Sequence, residues 1–349
     1  MKTFKQSDFF VFGYFGYLTN QLDGQTVKTR SVHQLLEEKV NIQIPFYDTE
    51  KIKSNKLSLI PALLQLVQSK HVIYLPAQNN LKSFFPFLFI LSKIFNFKIH
   101  YFVVGGWLFN FLQNNQSLVQ KLKGIHKIYP ETNRLCQQLS EKYEINNTCV
   151  FPNFRFFEPD EPKLAIAQES NHSLKLVFFS RINKLKGINT IFDILPRLKF
   201  PVEVDFFGPI HPSEEDDFLK RISRSKNARY RGILQPSEVY QVLMQYDVLL
   251  FPTQYYTEGL PGAIVDAYIS GIPVIATEWV HAHEFIQHGK TGFLIPFTNC
   301  EDQLIVFLEQ INSDRDLLTQ LKVNAFKEAN KYSSDYAWNI LKASLNLEF

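Results

Sequence analysis

The chain has 349 residues, of which 45% are hydrophobic and 20% charged, with 37 lysines and arginines against 34 aspartates and glutamates. That length exceeds one ordinary core and suits two domains, and a net charge of +3 supplies no general field for nucleic acid, which is not an expected partner. Three widely spaced cysteines, Cys136, Cys149 and Cys300, argue against a disulfide framework and for a reducing compartment, so the expected location is cytoplasmic.

Residues 1–8 are polar and lead directly into the apolar run Phe9–Gly13, without the basic start, long apolar stretch and cleavage site of a signal peptide. Further apolar runs of strand length lie at 72–75 and 99–104, then at Leu174–Phe179, Val202–Phe207, Val248–Phe251 and 273–276. They are continuous rather than alternating, as strands buried on both faces of a parallel sheet must be. Helix-length segments separate them at 27–38, 81–95, 117–123, 133–142, 188–198 and 236–245, and this alternation predicts an α/β fold throughout. The phenylalanine-rich stretch 83–97 contains Pro86, Ser92, Lys93 and Asn96 and falls short of the ~20 apolar residues that span a bilayer. It reads as a core helix of a βαβ unit; the second reading is a helix lying partly against lipid, because Lys82, Lys93 and Lys98 flank it.

Between 153 and 174 the chain becomes polar and proline-punctuated, with Glu158-Pro-Asp-Glu-Pro162 and Gln168 to Ser173, as linkers are. The expected domains are therefore 1–153 and 174–333, joined by a linker at 154–173. A last helix at 334–349, with Trp338, Ile340, Leu341 and Leu345 at helical spacing, is expected to reach back to the first domain.

In an open parallel sheet, ligands bind beyond the carboxyl ends of the strands, so the residues just after each apolar run carry the information. After 174–179 come Arg181 and Lys186, a rigid guanidinium and a flexible ammonium able to grip a diphosphate from two sides. After 248–251 comes a Gly/Pro-rich loop with Glu258, and eight residues on stands Asp266. Pro261 suits the first position of a helix whose buried face is Ile264, Val265, Tyr268 and Ile269. An anion at that helix start meets free backbone N–H groups, while the two acids suit uncharged hydroxyls. That combination fits a sugar joined to a phosphate. The turns at Gly208 and at 230–234, ending in Leu234, let backbone approach a flat base. His281-Ala-His283-Glu284 lacks a third ligand, so no metal is expected there. The acids at 214–217 read as a helix start capped by Ser213.

Taken in order over about residues 175–295, Phe-Phe-Ser-Arg-Ile-Asn-Lys-Leu-Lys-Gly, Gly-Ile-Leu-Gln-Pro-Ser-Glu, Asp-Val-Leu-Leu-Phe-Pro-Thr, Glu-Gly-Leu-Pro-Gly-Ala-Ile-Val-Asp and Gly-Ile-Pro-Val-Ile-Ala-Thr resemble the donor-binding half of retaining glycosyltransferases of family 4. More loosely, 20–27 is similar to that family's glycine-bearing loop near the donor phosphates, and Phe151-Pro152-Asn153 to the motif closing its acceptor domain. The resemblance implies a GT-B fold: two Rossmann-like domains with parallel sheets facing across a cleft, the first binding acceptor and the second nucleotide sugar. Arg181 and Lys186 then match the basic pair on the diphosphate, and Glu258 the first acid of the E-x7-E motif. Asp266 stands where a second Glu is usual and would meet ribose hydroxyls. Backbone around Gly259, Leu260, Pro261 and Gly262 would hold sugar or phosphate, with Gly24 near the phosphates and Glu284 on the loop over the donor. Where many members carry a histidine after the 99–104 strand, this chain has Gly105-Gly106-Trp107, which removes one catalytic assignment.

What the resemblance implies is retaining hexosyl transfer from a nucleotide-diphosphate sugar, with uridine diphosphate the commonest carrier, to a glycan or lipid-linked glycan. The implied setting is synthesis of bacterial capsule, exopolysaccharide or lipopolysaccharide. No metal or other cofactor is expected, the nucleotide sugar being a substrate. Lys28, Arg30 and Trp107 are candidate acceptor residues, and a lipid-linked acceptor would bring peripheral contact with the inner face of the cell membrane. Three alternatives keep the same scaffold: a non-catalytic sugar-binding partner of another transferase, a nucleotide-sugar epimerase, and a phosphorylase. Gly13-Tyr-Phe-Gly16 is no dinucleotide fingerprint, which sets aside an oxidoreductase.

Overall fold

The computed structural model describes residues 8–21, 23–158 and 173–345. The chain divides into two compact units, one made of the residues up to Phe157 together with those from Tyr332 onward, the other of Glu158–Lys331.

The first unit holds β1 (Phe9–Gly13), β2 (Phe46–Asp48), β3 (His71–Leu75), β4 (Lys98–Phe102) and β5 (Lys127–Tyr129). They form one sheet in the order β2-β1-β3-β4-β5 with every pairing parallel. Alternate side chains of each run enter different cores. Phe10, Phe12, Val72, Tyr74, Ile99 and Tyr101 join one cluster with Ala62, Leu66, Phe85 and Leu88 from the Leu59–Gln68 and Phe85–Phe95 helices. Phe9, Val11, Ile73, Leu75 and Phe102 join the other, with Val32 and Leu36 of the Gly24–Val40 helix and Trp338 and Leu341 of the Ser334–Ser344 helix. Burial on both faces is the physical reason β1 is apolar at every position and β3 is apolar after His71.

The second unit holds β6 (Leu174–Phe179), β7 (Val202–Phe207), β8 (Ala228–Gly232), β9 (Val248–Phe251), β10 (Val274–Thr277) and β11 (Gly292–Ile295). Their order is β11-β10-β9-β6-β7-β8, again all parallel. The chain runs outward from β6 to β8, then returns to the other side of β6 with β9. Strand order thus reverses between β6 and β9, and in the first unit between β1 and β3, which are the places where a doubly wound sheet opens a crevice for ligand.

Several expectations need correction. β2, β5, β8 and β11 carry no long apolar run; β8 alternates buried Ala228 with exposed Arg229 and Arg231 because it is an edge strand. The helix expected at 81–95 is two, Gln78–Ser83 and Phe85–Phe95, with Pro86 starting the second where its missing N–H costs nothing. The helix expected at 236–245 shortens to Val239–Leu243. Phe154 and Phe156, assigned to the linker, pack in the first unit's core, and Arg155 N donates to Tyr332 O at 2.8 Å. The remaining linker expectation at 159–172 and the chain end at 346–349 lie outside the described residues. Ser213 does not cap the acidic helix: the His211 side chain caps the short Pro212–Glu214 turn, and the Glu215–Arg224 helix follows it. Among the described residues, no helix is long and apolar enough to cross a membrane.

Candidate functional site

The loops after β6 and β9 meet at the reversal of the second sheet. After β6, Asn183 caps a short turn at Lys184–Lys186, its side-chain oxygen accepting from Lys186 N at 2.9 Å. Gly187 ends that turn in a left-handed conformation, φ +80°, and a Cβ there would lie 1.8 Å from Pro252 O. Only glycine allows this approach. Beyond it the loops are stitched together: Gln254 N donates to Leu185 O at 2.8 Å, and Thr253 Oγ1 to the same oxygen at 3.3 Å.

That stitching brings Lys186 Nζ onto the Glu258 carboxylate. The ammonium sits 5.5 Å from the centre of the Phe251 ring, and Thr253 Oγ1 lies 3.4 Å from Glu258 Oε1. The two side chains keep 22% and 12% of their surface exposed, so the pair is mostly enclosed yet open on one side. Arg181, in the turn leaving β6, is exposed. Gly208, φ +134°, lets the end of β7 press on the end of β6, since a Cβ would lie 2.0 Å from Ser180 O. Its N–H donates to Gly232 O at 2.9 Å and its carbonyl accepts from Tyr230 OH at 3.0 Å; Leu234, two residues beyond Gly232, is half-buried.

The helix after Glu258 runs Gly262–Ile269, so Pro261 is its N-cap rather than its first residue. Proline has no side-chain acceptor, and no side chain caps this helix start; its first N–H groups keep their capacity for an anion or hydroxyl. Leu260 is buried, so only backbone from the Gly259–Leu260 step can face a ligand. Asp266 lies in the second turn of the helix and is 6% exposed. Glu284 closes a short turn at Ala282–Glu284, in a loop tied to the β9 loop by Val280 N donating to Tyr256 O at 3.0 Å. His281 Nδ1 faces Glu284 at 3.9 Å, whereas His283 faces Glu278 at 3.7 Å; the two histidines do not converge. Arg181, Lys186, Glu258 and the Gly259–Gly262 backbone thus flank one sheet reversal.

The candidate acceptor residues fare differently. Lys28 is 3% exposed; its ammonium pairs with Glu131 Oε1 at 2.8 Å and donates to Val103 O and Phe151 O, both at 3.3 Å. Burial lowers its pKa, and the Glu131 charge opposes that shift. A lysine with its charge spent inside the core cannot receive an acceptor, so that assignment is withdrawn. Arg30 is also committed, donating to Phe15 O, Gly16 O and Gln21 O and stacking 4.6 Å from the Tyr17 ring. Trp107 turns back over Gly105 and donates to Val104 O at 2.7 Å. Gly24 opens the Gly24–Val40 helix behind the Asp23–Thr26 capping box.

Sequence reasoning missed the acids that shape the first unit's own reversal. Asp48, fully buried, accepts from Phe15 N and Tyr17 N, both at 3.0 Å. Glu50 accepts from Leu18 N at 2.9 Å and Thr19 Oγ1 at 2.6 Å. With Arg30 holding the carbonyls, the loop after β1 is fixed from both polarities.

Residues 173–314 match the family model described as glycosyl transferases group 1. The sulfoquinovosyl transferase SQD2 of Arabidopsis thaliana is 26% identical over 179 residues, covering 50% of this chain and 34% of that protein. The putative colanic acid biosynthesis glycosyltransferase WcaL of Salmonella typhimurium is 24% identical over 181 residues, covering 49% and 44%. The chain thus spans less than half the length of these curated relatives. Anabaena HepE, solved in complex with UDP and glucose, superimposes with a TM-score of 0.74 over 97% of this chain and 99% of its own, at 16% identity. The fold is GT-B, with two Rossmann-like domains built on parallel sheets, and its second domain is similar to group 1 glycosyl transferases.

Proposed function

We propose that the protein is a retaining glycosyltransferase of family 4, moving a hexosyl group from a uridine diphosphate sugar to a hydroxyl of a glycan or lipid-linked glycan in the synthesis of a bacterial surface polysaccharide. The observation that carries the reading is the placing of Lys186 against Glu258 by Gly187 at the sheet reversal. A cation and an acid there, beside an uncapped helix start, suit a ligand that is anionic at one end and hydroxylated at the other. The match of residues 173–314, and the polysaccharide roles in the names of relatives such as WcaL, support it.

In this mechanism Arg181 and Lys186 bind the diphosphate and stabilise the charge that grows on it as the sugar bond breaks. Lys186 exchanges Glu258 for phosphate when donor binds, and the released Glu258 carboxylate orients the sugar and favours its oxocarbenium-like character. Backbone N–H groups at Gly262 and its neighbours add to the anion site, Gly208 and Leu234 border the base, Asp266 accepts from the ribose, and Glu284 lies over the donor. A departing phosphate oxygen takes the proton of the incoming hydroxyl on the same face, which retains the anomeric configuration without a separate protein base. Two fixed cations do the work a metal does elsewhere, so activity is expected to persist in chelator.

Transfer from radiolabelled uridine diphosphate sugars tests the reading. Lys186→Ala and Glu258→Ala are each expected to lower kcat/KM about a hundredfold, near 3 kcal/mol. Wild-type rates in both would sink it. Conversion of donor without acceptor would indicate the epimerase instead. A thermal-shift screen of nucleotides and nucleotide sugars names the donor through selective stabilisation.

A further inference from the structure

The Phe85–Phe95 helix turns Phe85, Leu88 and Ser92 inward. At the same spacing on its opposite side it presents Phe87, Ile90 and Ile94, which are 45%, 54% and 66% exposed. A helix apolar on two opposite sides is ordinarily enclosed on both; this one buries Phe85, Leu88 and Ser92 and leaves Phe87, Ile90 and Ile94 exposed. The neighbouring helix Leu59–Gln68, packed against it, repeats the arrangement, with Ala62 and Leu66 inward and Ile60 and Leu64 exposed. Adjacent helices so furnished form an apolar face larger than scattered surface residues explain.

Its electrostatic setting says what covers it. From Lys51 to Pro130 the chain has ten lysines and neither aspartate nor glutamate, where its average composition would place about eight acids. The net charge of +3 therefore conceals a segment of +10 and a remainder of −7. Lys56, just before the first of these helices, and Lys82 and Lys93, at either end of the second, are exposed. A second copy docked about a twofold axis would set these lysines against themselves. A nucleic acid would leave the apolar side chains without a partner. The chemistry that satisfies both is an apolar layer beneath a sheet of anionic phosphates.

We propose that this face docks the protein on the surface of an anionic lipid bilayer, with Ile60, Leu64, Phe87, Ile90 and Ile94 entering the interface and the lysines meeting lipid phosphates. The proposal is independent of glycosyl transfer, and its test needs neither donor nor acceptor.

The full chain is sedimented with phosphatidylcholine vesicles with and without about 40 mol% phosphatidylglycerol at low salt. Binding is expected to the anionic vesicles alone and to weaken as salt rises. Ile90→Asp with Ile94→Asp, at exposed positions, and separately Lys56→Glu with Lys82→Glu, are each expected to weaken it about tenfold or more while leaving the melting temperature unchanged. Failure of the wild type to bind anionic vesicles, or equal binding by both double variants, overturns the proposal. So does a concentration-dependent dimer that the Ile90→Asp, Ile94→Asp variant abolishes, which would assign the face to a second copy.

Discussion

Gly187 and Pro252 meet backbone to backbone: the left-handed turn at 187 carries its Cα so close to the Pro252 carbonyl that a methyl group would overlap the oxygen at 1.8 Å. This contact joins the loop bearing Lys186 to the loop bearing Glu258. Gly187→Ala must open the contact as well as adopt a positive φ, and is expected to cost about 2 kcal/mol or more. Because the displacement falls between the two charged side chains, nucleotide binding should fall with it. Thermal melts with and without uridine diphosphate check both effects; an unchanged ligand-induced shift would show that the contact does not position the site.

Glu258 pairs with Lys186, the cation proposed to hold the donor phosphate. Glu258→Gln removes that competitor while keeping the shape, so free uridine diphosphate is expected to bind as tightly as to wild type or tighter, while transfer falls about a hundredfold. Titration calorimetry beside kinetics separates the two. Weaker nucleotide binding in Glu258→Gln would mean that the acid supports the phosphate site rather than competing for its lysine.

The buried Lys28–Glu131 pair predicts a different signature. Glu131 Oε1 holds the ammonium and Oε2 accepts from Gly105 N at 3.1 Å, so removing either partner leaves a charge inside the core. Lys28→Met alone or Glu131→Gln alone is expected to destabilise the fold by about 3 to 5 kcal/mol. The double replacement should recover part of that loss. Chemical denaturation of the three variants measures it, and additive losses in the double variant would contradict the pairing.

Lys28 also marks the limit of what the sequence discloses. Its place on a helix after a glycine reads as a solvent-facing cation, and what buries it is Glu131, 103 residues away. Asp48 and Glu50 escape notice for the same reason: their partners are backbone N–H groups of Phe15, Tyr17 and Leu18, and backbone leaves no trace in residue identity. The loops after β6 and β9 were legible because long apolar runs, Leu174–Phe179 and Val248–Phe251, announce the strands that carry them. β8 was not, since an edge strand exposes alternate residues, and here those are Arg229 and Arg231. The reversal between β6 and β9 depends on strand order, which one-dimensional periodicity does not encode.

A chain of neutral imidazoles predicts how the first unit responds to acid. His71 Nδ1 lies 3.0 Å from His100 Nε2, His100 Nδ1 lies 2.9 Å from Tyr129 OH, and that hydroxyl lies 2.8 Å from Ser344 Oγ at the end of the Ser334–Ser344 helix. The His126 ring packs edge-on to His100 at 4.8 Å. Burial, then the Lys98 charge and His126, pushes His71 down to about 4, with Lys70 adding to the shift and Asp8 opposing it. Burial also lowers His100 and His126, with Lys98 and Lys127 acting in the same direction on both. A folded-state pKa below the unfolded value of about 6.5 means that the unfolded chain binds more protons in between. The stability these groups contribute is therefore full above about pH 6.5 and is lost as pH falls towards 4. Urea midpoints measured across that window are expected to decline, and to decline less steeply in His71→Gln, because one group that must charge on unfolding is gone. A slope in His71→Gln equal to that of wild type would show that the imidazole chain does not govern acid sensitivity.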